Sequence, residues 1–185
     1  MNREVKKIIY RDHDFKGLID YLKQNFLYPE VKASCQYRKA VFYIKKGNFF
    51  IKNLWKLKWL KIRRKSRVQI SLDAKIGAGF RLVHDGTRVI VAGVTMGEDC
   101  AVGVNVIIGY VIKENRPDSG VPEIGNRVYI GHNSTIVGKI KIGNDVLIAP
   151  NSYVNKNVPD NSIVIGNNVI IPKEQPSKWY IKLVP

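Results

Sequence analysis

The N-terminal third of the chain has apolar residues at helical spacing. Between Asp14 and Phe26 they recur every three or four positions, which predicts a short amphipathic helix; they are Phe15, Leu18, Ile19, Leu22 and Phe26. Tyr28-Pro29 ends this pattern, because proline disfavours a helical conformation in the residue before it. A second helical region is predicted from about Ser34 to Ile62, with an interruption near Gly47-Asn48.

From Val68 onward a six-residue period of aliphatic residues replaces the helical one. The positions are Ile70, Ile76, Leu82, Ile90, Met96, Val102 and Ile108, and then Ile124, Ile130, Ile136, Ile142, Ile148 and Val154. Glycine often follows at the next position, and Gly and Asn accept the left-handed backbone angles of tight turns. The repeat predicts about four to five coils of three short strands, each strand giving one aliphatic side chain to a narrow interior.

Two breaks interrupt this register. Two extra residues occur around His84-Asp85-Gly86-Thr87, and ten extra residues separate Ile108 from Ile124. Departures from a repeating solenoid mark loops that do something other than stack, and functional residues concentrate on loops. We therefore expect the chemistry of the protein at these two breaks.

Charge and length divide the chain into unequal parts. Residues 1–67 contain 19 Lys and Arg against 5 Asp and Glu, whereas residues 68–185 contain 12 against 10. We therefore predict a basic α-helical segment over 1–67, a β-helix over 68–171 and a C-terminal tail over 172–185.

We predict a cytoplasmic protein, since no signal-peptide core or bilayer-spanning run occurs. Cys35 and Cys100 suggest neither a disulfide framework nor a thiolate metal site.

The basic segment ends in FFIKNLWKLKWLKIRRK, where aromatic and aliphatic residues are interleaved with lysines. One interpretation is a helix that packs by its apolar side and leaves a basic side in solvent. A second is peripheral attachment of residues 1–67 to an anionic membrane on its inner face, because Trp and Phe suit the headgroup boundary and cations are attracted to anionic lipid. Nucleic-acid binding is not expected, since no known binding module accompanies the charge.

Residues 68–171 resemble the catalytic β-helix of the serine O-acetyltransferase-like branch of hexapeptide-repeat acyltransferases. AKIGAGFRLVHDGTRVIV, MGEDCAVGVNVIIG and PEIGNRVYIGHNSTIVGKIKIGNDVLIAPNSYVNKNVPDNSIVIGNN carry the resemblance. It implies a mainly β fold, namely a left-handed parallel β-helix after an α-helical N-terminal segment. It also implies a homotrimer with active sites between subunits, and acetyl transfer from acetyl-CoA without a metal.

The resemblance assigns His84 the role of general base, taking the proton from the acceptor hydroxyl as that oxygen attacks the thioester. An imidazole suits this task because its pKa lies near neutral pH. For the group that orients the ring, Asp85 and Gln69 are weaker candidates. His132 is a secondary candidate for the site, and His13 is assigned to structure.

Three departures from the family argue against free serine as the acceptor. The family has an Asp before the catalytic His, an Asp fifteen residues earlier and an Arg-His pair before Pro-x-Ile. Here Val83, Gln69 and Gly120-Val121 stand at those places. A site that lacks the groups for a charged substrate loses selectivity for it. The chain then resembles capsule, exopolysaccharide or lipopolysaccharide O-acetyltransferases, and a sugar hydroxyl is the expected acceptor, with serine as the alternative.

By position in the family fold, acetyl-CoA is expected to lie along the later repeats. Six residues are predicted to border it: Gly138, Ala149, Gly166, Asn167, Lys156 and Lys173. The family has Pro-Ala-Lys after the last turn, whereas this chain has Asn168-Val169-Ile170.

Two rival hypotheses use the same fold. A carbonic anhydrase of the γ type needs three histidine ligands for zinc, and the β-helix of this chain contains two, His84 and His132. A non-catalytic scaffold is the other alternative, and the ten-residue insertion argues against it because a plain scaffold has no need to interrupt its stacking.

Overall fold

The computed structural model describes residues 2–13, 15–111 and 119–182. Four helices come first: α1 (Arg3–His13), α2 (Leu18–Leu27), α3 (Pro29–Lys46) and α4 (Phe49–Ser66). The interruption predicted near Gly47-Asn48 is confirmed, and the Asn48 side chain caps α4 by accepting a hydrogen bond from the Ile51 amide at 3.0 Å. Helix α1 was not predicted, and the helix expected to begin near Asp14 begins at Leu18.

Fifteen short strands follow and form three sheets. Sheet A contains β1 (Val68–Ile70), β4 (Arg88–Ile90), β7 (Val106–Gly109), β10 (Thr135–Val137) and β13 (Tyr153–Val154). Sheet B contains β2 (Lys75–Ile76), β5 (Thr95–Met96), β8 (Glu123–Ile124) and β11 (Lys141–Ile142). Sheet C contains β3 (Arg81–Leu82), β6 (Ala101–Val102), β9 (Tyr129–Ile130), β12 (Val146–Ile148), β14 (Ser162–Ile165) and β15 (Val169–Pro172). A short helix α5 (Lys178–Lys182) ends the described chain.

Among the named strands of the described residues, the pairings between coils are parallel, and β15 turns back to pair antiparallel with β14. The register places equivalent repeat positions beside each other, for example Ile70 beside Ile90 and Ile90 beside Ile108. All of the predicted repeat positions lie in one continuous core, with Ile76 partly buried and the others buried. The predicted fold class, a parallel β-helix of hexapeptide repeats preceded by helices, is confirmed.

A buried ion pair joins the helices to the first coil. Arg38 of α3 bonds both carboxylate oxygens of Asp12, and the Arg38 guanidinium also donates to the carbonyl oxygens of Ile76 and Gly77. Asp12 accepts two further bonds from the amides of Gly79 and Phe80. Burial raises the pKa of Asp12, while the Arg38 cation and the amide donors oppose that rise. The ion pair therefore fixes α1 and α3 against the turn before β3.

Helices α2 and α4 leave apolar side chains in solvent. Trp59 of α4 is buried against Tyr37 of α3, and Trp55 and Ile62 pack beside them. The opposite side of α4 exposes Phe49, Phe50, Leu54, Leu57 and Leu60, and α2 exposes Leu18, Ile19, Leu22 and Phe26. Helix α4 therefore packs by one apolar side, as the first interpretation expected, but it also exposes a second apolar side that this interpretation did not include. Among the described residues no helix is long and apolar enough to cross a membrane.

Candidate active site at the corner between sheets C and A

His84 lies at the corner where the chain passes from sheet C to sheet A, which we call the His84 corner. Four turns from sheet C to sheet A form it, namely residues 83–87, 103–105, 131–134 and 149–152. The β14–β15 turn at 166–168 stacks on the last of them, where Asn167 pairs with Tyr153 of β13. The backbone of His84 is left-handed, with φ of 63°, and its side chain is exposed. Histidine adopts this conformation more readily than most residues. The predicted two-residue insertion thus forms an outward turn that presents the imidazole to solvent.

Buried Arg88 stabilises this turn by hydrogen bonds to its backbone. Its side chain is fully buried, and its guanidinium donates to the carbonyl oxygens of Val83, His84 and Gly86, and to Gly103 of the next coil. Burial lowers the pKa of Arg88 to about 10, so the group is still charged at neutral pH. No sequence pattern marks Arg88 as a site residue, because a cation at a strand start ordinarily lies on the surface.

His132 stands two coils away from His84, yet the two rings meet. Their centroids are 5.6 Å apart and the planes are inclined by 24°. The Val104 amide donates to Nδ1 of His132 at 2.9 Å, so the neutral ring carries its proton on Nε2. A Cβ on Gly103 would lie 2.8 Å from the His132 backbone nitrogen, and only glycine leaves room for this arrangement.

Burial lowers the pKa of His132, and the neighbouring His84 and Arg88 lower it further. The lowered pKa favours the neutral form of His132. The structure places His132, our secondary candidate, next to the predicted base as a neutral ring with an N–H donor.

Three of the predicted acetyl-CoA residues share the His84 corner. Ala149 follows β12, and Gly166 and Asn167 form the turn between β14 and β15. Four strand spacings of about 4.8 Å separate the His84 coil from the Gly166 coil, a span of about 19 Å. The corner therefore offers one straight edge on which an extended thioester arm can lie.

The other three predicted cofactor residues lie elsewhere. Gly138 and Lys156 occupy the corner between sheets A and B, at the opposite edge of sheet A. Lys173 follows β15, where its amide bonds the carbonyl of Asn161 at the corner between sheets B and C. The structure thus divides the predicted set among three corners.

Neither weaker candidate for orienting His84 makes that contact. Asp85 is exposed in the turn, and Gln69 is exposed on β1 beside Val89. Within the described ranges no hydrogen bond joins the His84 ring to either side chain. Val83, which stands where the family has Asp, is buried in a small cluster with Ala101 and Tyr129.

A cavity of about 570 Å³ opens beside His84, between the helices and sheet C, and we call it the helix–sheet cavity. Its wall includes three tyrosines, Tyr28, Tyr129 and Tyr180, together with the charged side chains of Lys23 and Glu30. Tyr180 of α5 lies against Tyr129, with ring centroids 4.7 Å apart. The C-terminal tail therefore contributes to this wall, a contact that no sequence pattern predicted.

The second predicted break lies partly outside the described residues. Val111 and Gly120 pair across its base by two backbone hydrogen bonds, and residues 112–118 are not described. In the ranges 2–13, 15–111 and 119–182, no three His, Cys, Asp or Glu side chains are grouped so that they could hold a metal ion.

Comparison with known proteins agrees with this architecture. Residues 122–156 match the sequence model of the bacterial transferase hexapeptide family. Serine acetyltransferase 4 of Arabidopsis thaliana is 36% identical over 126 residues, which are 62% of this chain and 34% of that protein. A serine acetyltransferase of Staphylococcus aureus is 35% identical over 103 residues, covering 54% of this chain and 46% of that protein.

Solved structures show the same fold. The serine acetyltransferase of Vibrio cholerae superposes with a TM-score of 0.79 at 24% identity, covering 97% of this chain and 70% of that one. That of Neisseria gonorrhoeae gives 0.75 at 24% identity, with 92% and 65% covered. At this identity the superpositions establish the fold alone.

The chain thus shares hexapeptide repeats with a bacterial transferase family and sequence similarity with curated acetyltransferases. The chain spans less than half the length of the two curated relatives described here. Both carry the serine acetyltransferase name, so they favour the alternative acceptor of our sequence analysis over the sugar, and they lend no support to a role in polysaccharide biosynthesis.

Proposed function

We propose that this protein is an acetyl-CoA-dependent O-acetyltransferase with His84 as its general base. The observation that carries the proposal is the exposed imidazole, held on a strained turn between a cavity and the straight edge of the β-helix. The matched hexapeptide repeats and the acetyltransferase names of the relatives support the same reaction class.

In the proposed reaction an acceptor hydroxyl gives its proton to His84 while its oxygen attacks the thioester carbon of acetyl-CoA. The resulting tetrahedral intermediate collapses, the carbon–sulfur bond breaks, and the imidazolium returns the proton to the leaving thiolate. The products are an acetyl ester and free CoA. General base catalysis of this kind contributes about 10²–10⁴-fold.

We assign His132 to the developing oxyanion. With Nδ1 fixed by the Val104 amide, the Nε2–H is the only donor of the neutral ring, and the stacked geometry keeps it beside the reacting groups. A preorganised donor of this kind is worth more at a developing charge than in the ground state. Arg88 acts as a positioning residue, since it bonds the backbone of the turn and leaves the imidazole free.

For acetyl-CoA we propose the His84 corner, with Ala149, Gly166 and Asn167 along the arm. Gly138, Lys156 and Lys173 remain candidates for the more distant parts of the cofactor, since they stand at the other two corners. Both lysines are exposed and can meet phosphate groups.

For the acceptor we propose a sugar hydroxyl. The helix–sheet cavity, at about 570 Å³, falls within the range of about 300–1,000 Å³ typical of small-molecule sites and has room for a sugar ring. Its tyrosines offer flat faces and hydroxyl groups to a sugar ring, and Asp20 and Glu30 of the same wall can accept hydrogen bonds from sugar hydroxyls. Free serine is the second candidate, because the relatives carry that name.

The test is thiol release from acetyl-CoA by the wild type and by His84→Asn, with free serine, nucleotide sugars and lipid-linked glycan precursors as acceptors. Asn tolerates the left-handed backbone of position 84, so the variant removes the imidazole without adding strain. We expect sugar-dependent release that falls at least 100-fold in His84→Asn. Release with serine alone would replace the sugar by the second candidate, and failure to bind acetyl-CoA would favour the scaffold hypothesis.

The assembly and location of the protein are also proposals. We propose a homotrimer in the cytoplasm, as the family resemblance implies, and light scattering of the purified protein measures the first of these directly.

A further inference from the structure

The outward side of α4 is an apolar stripe with a basic end. Phe50, Leu54 and Leu57 lie about one helical turn apart on this side. Their exposed fractions are 80%, 63% and 66%, respectively. Lys61 and Arg64 continue the same side toward the C-terminus of the helix. We call these five residues the α4 stripe.

The α4 stripe is separate from the packed side of the same helix. Trp55, Trp59 and Ile62 face the core, so the fold already uses one apolar side of α4 and leaves a second one uncovered. A monomer seldom exposes so many large apolar side chains in a row without a partner for them.

Charge decides between the possible partners. Helix α4 contains seven Lys and Arg and no Asp or Glu. A second copy of the chain would bring two such cationic helices together, whereas an anionic surface would neutralise them. Exposed lysines can also extend along the apolar surface while their ammonium groups reach lipid phosphate.

We propose that the α4 stripe binds the surface of an anionic lipid bilayer, with α4 lying in the plane of the interface. Leu and Phe enter the acyl boundary and the cations meet the headgroups, as in other interfacial helices. This inference narrows the predicted membrane contact from residues 1–67 to one side of one helix, and it does not depend on acetyl transfer.

The experiment is co-sedimentation of the full chain with vesicles of phosphatidylcholine alone or mixed with phosphatidylglycerol. We expect binding only to the mixed vesicles, weakened by added salt. Replacing both leucines (Leu54→Ser, Leu57→Ser) should lower the partition coefficient by about tenfold per residue. Replacing the cations (Lys61→Gln, Arg64→Gln) should lower it about fivefold per charge.

The matched control is Phe26→Ser on α2, where the apolar side chain is 88% exposed and the helix has one cation, Lys23, against seven on α4. It should bind vesicles as the wild type does. Circular dichroism checks that every variant is folded. Equal loss in Phe26→Ser, equal binding to both vesicle types, or no binding would overturn the proposal. Self-association without lipid that the leucine variant abolishes would instead assign the stripe to a second copy.

Discussion

Arg88 provides the sharpest test of how the candidate site is built. Arg88→Met keeps most of the side-chain length but removes the donors to four backbone carbonyl groups of the two turns. Hydrogen bonds to a charged donor contribute about 1.5–3 kcal/mol each. Burying the cation opposes this by about 3 kcal/mol, since its pKa is lowered from 12.5 to about 10. Four such bonds less this burial cost give an expected net loss of about 3–9 kcal/mol in the free energy of unfolding.

The same variant should lower kcat/KM for thiol release by about 100-fold, because a displacement of about 1 Å in a catalytic group has an effect of that size. Urea unfolding measures the first effect and the thiol assay the second. Arg88→Lys keeps the charge but has a shorter reach and fewer donors. Its free energy of unfolding and its kcat/KM should lie between those of the wild type and Arg88→Met.

A double variant separates positioning from general damage. If Arg88 acts through His84, adding Arg88→Met to His84→Asn should lower activity little further. An Arg88→Met protein that unfolds within 1 kcal/mol of wild type and keeps its activity would refute the reasoning.

Three other predictions concern packing and pH. Gly103→Ala should lower the free energy of unfolding, measured in urea, by about 1–3 kcal/mol, because its Cβ would press on the backbone of His132. Gly17→Ala is the control and should leave the stability unchanged, because a Cβ at Gly17 meets open space. Burial lowers the pKa of His13 to about 4, so the folded state favours the neutral ring. As pH falls from 6.5 to 4, the free energy of unfolding of the wild type should therefore decrease by about 3 kcal/mol relative to that of His13→Gln. A flat difference across that range would contradict it. Trp59→Ala should lower the free energy of unfolding by about 3–5 kcal/mol. Trp59→Phe should lower it much less, because Nε1 of Trp59 has no hydrogen-bond partner in the described part of the chain.

The β-helix could be predicted because its signal is local and repeated. Each aliphatic residue of the repeat occupies the same place in successive coils, so an error at one position is corrected by the others. The helical segment was harder. The spacing of Leu18, Ile19, Leu22 and Phe26 correctly indicated a helix, but periodicity says only which residues share a side, and this side is exposed.

The geometry of the candidate site could be predicted in part. The insertion at His84 revealed the turn because it broke a regular pattern, whereas Arg88 occupied a position where the pattern was intact. Its burial arises because carbonyl groups of two successive turns converge on one cation. Tyr180 joined the cavity wall because the C-terminal tail returns across sheet C, and a tail has no periodicity from which its path could be read.

The sequence by itself determined the coil, its register and the exposed histidine turn, since these follow from interactions between neighbouring repeats. The tertiary structure decided what meets across coils and between segments. It brought His132 to His84, buried Arg88 beneath the turn, divided the predicted cofactor residues among three corners and turned the α4 stripe outward. These features depend on contacts between residues far apart in the chain, which no local pattern of polar and apolar residues specifies.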